Sequence, residues 1–264
     1  MHHTLTPLKY RTIWISDTHL GTRGCKADML LDFLNATESR HLYLVGDIFD
    51  GWRLKRSWYW SQLQTEVVQA VLRIARAGGT EVVYIPGNHD EVARGFAGLS
   101  FGDVRIARDA IHTLASGERF LVLHGDEFDG ITSHARWLAV LGDCAYNTVL
   151  WLNHWFNAAR RRMGFGYWSL SAFLKLKVKD AVRFIDDFER TVAAEARRRR
   201  VDGVICGHIH KAEIRDYGGV RYCNDGDWVE SCTALVEHHD GTLEVVRWAE
   251  AKAVHAAARV ERAA

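Results

Sequence analysis

Apolar and polar positions along the chain alternate between two periods. TIWIS (12-16) is a short apolar run that ends at Asp17-Thr18-His19. The pattern then turns helical over 26-39, and HLYLVGD (41-47) reads as a second strand ending at Asp47. Leu63, Val67, Val71 and Ile74 recur at helical spacing and predict a helix over 61-77. EVVYIPGNHD (81-90) predicts a third strand stopped by a Pro-Gly turn, RFLVLHGD (119-126) a fourth ending at His124, and VDGVICGHIH (201-210) a fifth. A helix is expected over 180-200, closed by the charge run RRRR (197-200), where positive charge suits the helix dipole. Strand-like segments at 220-223, 233-237 and 243-248 add sheet pairing, and the Ala- and Arg-rich tail 250-264 reads as surface helix or frayed end.

Strands alternating with helices imply a βαβ-type sheet. In such sheets, sites gather beyond the carboxyl ends of the strands. The predicted strand ends carry Asp17, His19, Asp47, Asn88, His124, His208 and His210. Each alone has an ordinary reading. Two histidines in H-X-H can share one face of a strand, and Asp47 and Asn88 are common turn residues. Their coincidence at matching strand ends is what points to a site. A mixed oxygen and imidazole set suits Mn, Fe or Zn. Seven ligands exceed one tetrahedral ion but suit two, about 3.5–4 Å apart, with Asp47 from a central strand as the bridge. Such a pair activates water and stabilises oxygens on phosphorus, which favours hydrolysis of a phosphate ester or anhydride.

Bulk properties exclude little but narrow the setting. With 264 residues and 48% hydrophobic composition, one domain with one large core is the default. Thirty-four basic against 33 acidic residues give a formal charge of +1, which argues against a generic nucleic-acid binder. Five cysteines form no paired framework, and MHHTLTPLKYRTIW lacks the apolar stretch of a secretory leader, so a reducing, cytoplasmic setting is expected. No run approaches the roughly 20 apolar residues of a membrane span.

SDTHLG (16-21), GDIFDGW (46-52), GNHD (87-90), HGD (124-126) and GHIH (207-210) together resemble, in order, the motifs of the calcineurin-like metallophosphoesterases. The resemblance spans roughly residues 10-248 and is weakest over 130-180. It implies an α/β fold, a four-layer sandwich of two mixed β-sheets flanked by helices, as a single domain over 1-264. It also implies that Asp17, His19 and His210 hold a first metal, that Asn88, His124 and His208 hold a second, and that Asp47 bridges them. His89 matches the family's non-ligand histidine, which contacts the phosphate and serves the leaving oxygen, with Asp90 expected to orient it. Asp50 and Asp129 are further carboxylates beside the motifs, either placed to hold a histidine or an ordered water, and Asp225 and Asp227 in NDGDW are expected near the site rim or in a turn.

The stretch 127-206 between HGD and GHIH is longer than one crossover helix needs. Within it, 131-179 carries Arg136, Arg160, Arg161, Arg162, Lys175, Lys177 and Lys179 against one acid, Asp143, beside Trp137, Trp151, Trp155, Phe156, Phe165, Tyr167 and Trp168. This basic, aromatic insertion suits a helical lid over an apolar ligand or against anionic headgroups. The alternative is a helical hairpin packed on the sandwich. Arg53, Lys55 and Arg56 in GWRLKRSWYW are placed to reach further phosphates.

These features look like the bacterial UDP-2,3-diacylglucosamine diphosphatases of lipid A synthesis. That group releases UMP and 2,3-diacylglucosamine 1-phosphate, which implies two divalent ions (manganese first, iron or zinc as alternatives) and a nucleotide-linked lipid substrate. It further implies work at the cytoplasmic face of the bacterial inner membrane. Two departures stand out: GDIFDGWRLKR lacks the group's acidic continuation, and His89 stands where the group has arginine. The alternatives are a phosphoesterase acting on a phospholipid headgroup, nucleotide or phosphoprotein, a nuclease, and a noncatalytic metal-bearing scaffold.

Overall fold

The computed structural model describes residues 7–131 and 170–252. Most of the expected insertion, 132–169, and the tail from 253 lie outside the described residues. The chain forms two compact units, one of residues 1–126 with 192–264 and one of 127–191. Of the second, the described parts are a tight helical turn reaching Ile131 and the first part of a long helix, α4 (Leu170–Arg198). That helix begins ten residues before the expected start at 180. FLKLKVK (173-179) therefore belongs to that helix.

The first unit holds both sheets. β1 (Leu8–Ile15), β2 (Thr37–Val45) and β3 (Glu81–Ile85) run parallel in a seven-stranded sheet. β4 (Ser100–Phe101) and β5 (Val104–Ile106) extend it beyond β3, and β11 (Thr233–Glu237) and β12 (Leu243–Arg247) beyond β1. A five-stranded sheet orders β6 (Ala110–Thr113), β7 (Arg119–Val122), β8 (Gly203–Cys206), β10 (Arg221–Asn224) and β9 (Glu213–Asp216). Here β7 and β8 are parallel.

Strict alternation along the central strands builds the layers. Ile13 and Ile15 of β1, Leu42 and Leu44 of β2, and Val82 and Tyr84 of β3 join one core. In it lie Leu30, Phe33 and Leu34 of α1 (Ala27–Ala36) and Val67 and Ala70 of α3 (Gln62–Arg76). The intervening Trp14, Tyr43, Val45, Val83 and Ile85 point the other way and meet Phe120, Val122, Ile205 and Cys223 of the second sheet. Each central strand thus serves two cores, and a one-residue slip would exchange them. α3 starts where Ser61 Oγ caps the Gln64 N–H at 3.3 Å. Of its predicted apolar stripe, Val67 is buried, Val71 and Ile74 pack at the core margin, and Leu63 is exposed. Among the described residues no helix is long and apolar enough to cross a membrane.

Candidate metal centre

Parallel neighbours end on the same side, so the sheets deliver their polar termini together. Asp17 and His19 follow β1, Asp47 follows β2 and Asn88 follows β3; His124 follows β7, and His208 and His210 follow β8. Asp17, His19, Asp47, His208 and His210 all adopt left-handed backbone, with φ from 47° to 73°. Non-glycine residues pay about 1 kcal/mol or more for that conformation. Backbone bonds between the loops hold it: Asp17 N–H to Gly46 O (3.0 Å), His19 N–H to Asp47 O (2.9 Å) and Trp228 N–H to Asp17 O (3.1 Å).

Asp17 Oδ1 lies 3.0 Å from His210 Nε2 and 3.8 Å from His19 Nε2, and the two ring nitrogens are 3.4 Å apart. Asp47, His124 and His208 form a second group whose ligand atoms all lie within 4.8 Å of one another. Asp47 divides its oxygens: Oδ2 faces His19 Nε2 at 3.9 Å, and Oδ1 faces His124 Nε2 at 3.4 Å. The groups are close because the glycines leave room. A Cβ on Gly87 would stand 2.4 Å from Asp47 Oδ1, and one on Gly207 would stand 2.5 Å from Asp17 Oδ2.

This donor set fits divalent metals. His124 Nε2 and Asn88 Oδ1 are buried without a hydrogen bond, a costly state that a bound cation relieves at both lone pairs. The outer nitrogens are already engaged. His124 Nδ1 lies 2.8 Å from Val45 O, and His19 Nδ1 lies 3.3 Å from Asp50 Oδ2. Both rings therefore present Nε2 to the centre.

Residues 10–212 match the family model for calcineurin-like phosphoesterases. The chain belongs to that family. It is accordingly a metal-dependent phosphoesterase whose cofactors are divalent metal ions. The UDP-2,3-diacylglucosamine hydrolase of Chromohalobacter salexigens is 27% identical to it over 218 residues, 78% of this chain and 82% of the relative. The protein of the same name from Azotobacter vinelandii is 24% identical over 208 residues, 78% and 83% of the two chains. Among solved structures, Yfce, a phosphoesterase from E. coli, is 13% identical with a TM-score of 0.42, over 89% of this chain and 98% of that one.

Charge in this phosphoesterase is balanced between carboxylates and imidazoles. Burial opposes ionisation of Asp17, but the charge and hydrogen bond of His210 outweigh it and hold the carboxyl well below the usual range. For Asp47, burial is likewise outweighed by the nearby charge of His124, and the pKa falls to about 2. His124 is pushed up to about 10 and His210 to about 9, in each case against burial, by Asp47 and Asp17 respectively.

Several accessory expectations are corrected. Asp90 does not orient His89. Its carboxylate accepts backbone N–H groups of Gly87 (2.6 Å), Ile48 (2.8 Å), Phe49 and Asp47, tying the GNHD loop to the Asp47 loop. The carboxylate at His89 is Asp50, whose Oδ1 lies 3.1 Å from Nδ1 while its Oδ2 meets His19. Asp50 Oδ1 also caps α2 (Gly51–Arg56) through the Arg53 N–H at 2.8 Å. The sequence signal was available: Asp50 stands three residues after Asp47, directly before a helix start. Trp52, absent from the expected site, lies over the His89 ring with centroids 4.1 Å apart. Asp225 and Asp227 are buried rather than at a rim, and Asp227 takes the expected turn role, its Oδ1 accepting the Val229 and Glu230 N–H groups at 2.8 Å and 2.5 Å. Arg53, Lys55 and Arg56 are exposed on α2 and, among the described residues, their side chains make no hydrogen bond or ion pair.

Proposed function

We propose that this phosphoesterase hydrolyses UDP-2,3-diacylglucosamine to UMP and 2,3-diacylglucosamine 1-phosphate. In this reading Asp17, His19 and His210 hold one manganese ion, Asn88, His124 and His208 hold the other, and Asp47 bridges them. The observation that carries the metal assignment is the division of the Asp47 oxygens between two histidine groups. Support for the substrate comes from the relatives named for it, matched over most of their length. In this reading the enzyme works at the cytoplasmic face of the inner membrane, and the basic, aromatic composition of 131-179 supports a role for that segment in binding the acyl chains.

Bound divalent ions supply Lewis acidity to the phosphoryl group and its attacking water. The chain's own residues arrange the rest. His89 is 17% exposed and turns Nε2 inward, 3.8 Å from Asp47 Oδ2, where it donates to the oxygen that leaves. Asp50 holds the ring from its Nδ1 edge, and Asp90 fixes the loop beneath it. Arg53, Lys55 and Arg56 bind the pyrophosphate from outside. Water oxygen bonds to one phosphorus of the pyrophosphate as the bond from that phosphorus to the bridging oxygen breaks. The leaving phosphate keeps that electron pair and takes the His89 proton, and the proton shed by the water passes to solvent, from which His89 is reprotonated.

The test is UMP release from UDP-2,3-diacylglucosamine by manganese-loaded protein, measured by chromatography beside Asp47→Ala and a panel of soluble phosphodiesters. Rapid release that disappears in the variant supports the reading. Turnover of another diester without UMP would keep the metal centre and overturn the substrate.

A further inference from the structure

The mechanism above leaves one buried acid unused. Asp225 is fully buried, its Oδ2 has no hydrogen-bond partner, and its Oδ1 lies 2.6 Å from Ser16 Oγ. Ser16 Oγ is also 2.6 Å from Asp17 Oδ2 and 3.1 Å from Gly226 O. All three neighbours are oxygens, yet a hydroxyl carries a single proton. Both 2.6 Å contacts have the length of O–H···O hydrogen bonds. They can both be hydrogen bonds only if one of the two carboxyl groups supplies a proton of its own.

Asp17 is not that group. Its Oδ2 already accepts the His208 N–H at 2.8 Å, and its Oδ1 faces His210. Asp225 makes no ion pair among the described residues, and its Oδ2 is buried without a hydrogen bond, so a charge there would be poorly solvated. Burial, opposed by the Ser16 hydrogen bond and reinforced by the Asp17 charge, pushes the Asp225 carboxyl well above the ordinary range.

We propose that Asp225 is a positioning residue acting as a neutral hydrogen-bond donor: it donates to Ser16, and Ser16 donates to Asp17 Oδ2, leaving Oδ1 as the oxygen offered to metal. The relay is held in place from the same loop. Thr233 Oγ1 donates to Asp225 O (2.9 Å), and Asn224 Nδ2 donates to Gly207 O (2.7 Å), next to His208. The NDGD stretch therefore braces one ligand loop from each sheet. The inference rests on reading Asp17 as a metal ligand.

The experiment uses the full chain, stripped with chelator and titrated with Mn2+ by calorimetry, as wild type, Asp225→Asn, Asp225→Ala and Ser16→Ala. Asparagine keeps a donor and adds no charge. It should hold Mn2+ affinity within about threefold, whereas the two alanine variants should lose roughly 10- to 100-fold, as outer partners of metal ligands do. Infrared difference spectra of wild type against Asp225→Asn at neutral pH should show the carbonyl stretch of a protonated carboxylic acid. An asparagine variant as weak as alanine, or no acid band, would overturn the proposal. If Asp225→Ala does not fold, Ser16→Ala and the infrared band carry the decision. A wild type that binds no Mn2+ would instead sink the ligand reading, and the relay's purpose with it, whatever the infrared band shows.

Discussion

Glu237 and Asp47 are both buried carboxylates beside a histidine where the two sheets face each other, but their surroundings differ. Glu237 Oε1 receives Arg11 Nη1 (2.5 Å) and the Ala115 N–H (2.7 Å), and Oε2 receives Thr12 Oγ1 (2.7 Å) and lies 3.0 Å from His112 Nε2. His112 in turn lies 3.2 Å from Tyr43 OH. Every oxygen of Glu237 is satisfied. Asp47 Oδ1 takes the His89 N–H at 2.8 Å, while its remaining neighbours stand at 3.4 Å to 3.9 Å among buried atoms that bond to nothing. Left-handed backbone occurs at Asp47 but at none of Thr12, His112 or Glu237. The same residue types thus serve two ends. Where polar groups complete one another they join sheets, and where they are left incomplete and strained they await a ligand.

The contrast breaks most sharply at Asp47. Asp47→Ala should lower Mn2+ affinity by more than about 100-fold, a floor set by what outer partners alone cost, and should abolish phosphodiester turnover. Its melting temperature without metal should fall by less than that of Glu237→Gln, because Asp47 takes one close hydrogen bond where Glu237 takes four. A melting temperature that collapses would erase the distinction.

Glu237 should behave in the opposite way. Despite burial, the His112 and Thr12 hydrogen bonds hold its pKa at about 2, below the ordinary 4.5. A depressed folded pKa contributes stability that is complete above the unfolded value and is lost as pH falls from about 4.5 through about 2. Glu237→Gln should cost on the order of 3 kcal/mol at neutral pH and flatten the denaturation midpoint across that acid window, with Mn2+ affinity unchanged. Unchanged acid sensitivity in the variant would show that other carboxylates govern the window.

Asp50 lies between these extremes, since it orders two histidines and also caps a helix. Asp50→Asn should lower kcat by roughly 10- to 100-fold with little change in KM, as expected for a partner that orients others. A KM effect alone would place it in substrate binding. The smallest effects belong to the exposed cations. Arg53→Ala, Lys55→Ala and Arg56→Ala should each raise KM about threefold, which salt should mimic, as screening weakens exposed charges.

The candidate ligand set was legible because each residue follows a short apolar strand, and strand ends are fixed by local pattern. The 233-237 strand was legible to the residue for the same reason. β4, β5, β6 and β9 were missed because two to four residues carry too little periodicity. The exchange of roles between Asp50 and Asp90 was hidden for another reason. Which carboxylate reaches a given ring depends on how two loops cross, and adjacency in sequence favoured the wrong one. The left-handed backbone at five ligands was equally hidden, since side chains that tolerate strain do not advertise it.

Both candidate ligand groups draw on both sheets: Asp17 and His19 with His210, and Asp47 with His124 and His208. A cation in either group therefore acts as a clasp between two layers otherwise joined by the Trp14–Phe120 core and the Glu237 cluster. The reaction centre and the seam of the fold are then one object. Hydrogen bonds already cross between the layers at that end, from the His208 N–H to Asp17 Oδ2 and between His124 Nδ1 and Val45 O, so a cation there would tighten a seam that the chain has begun to close.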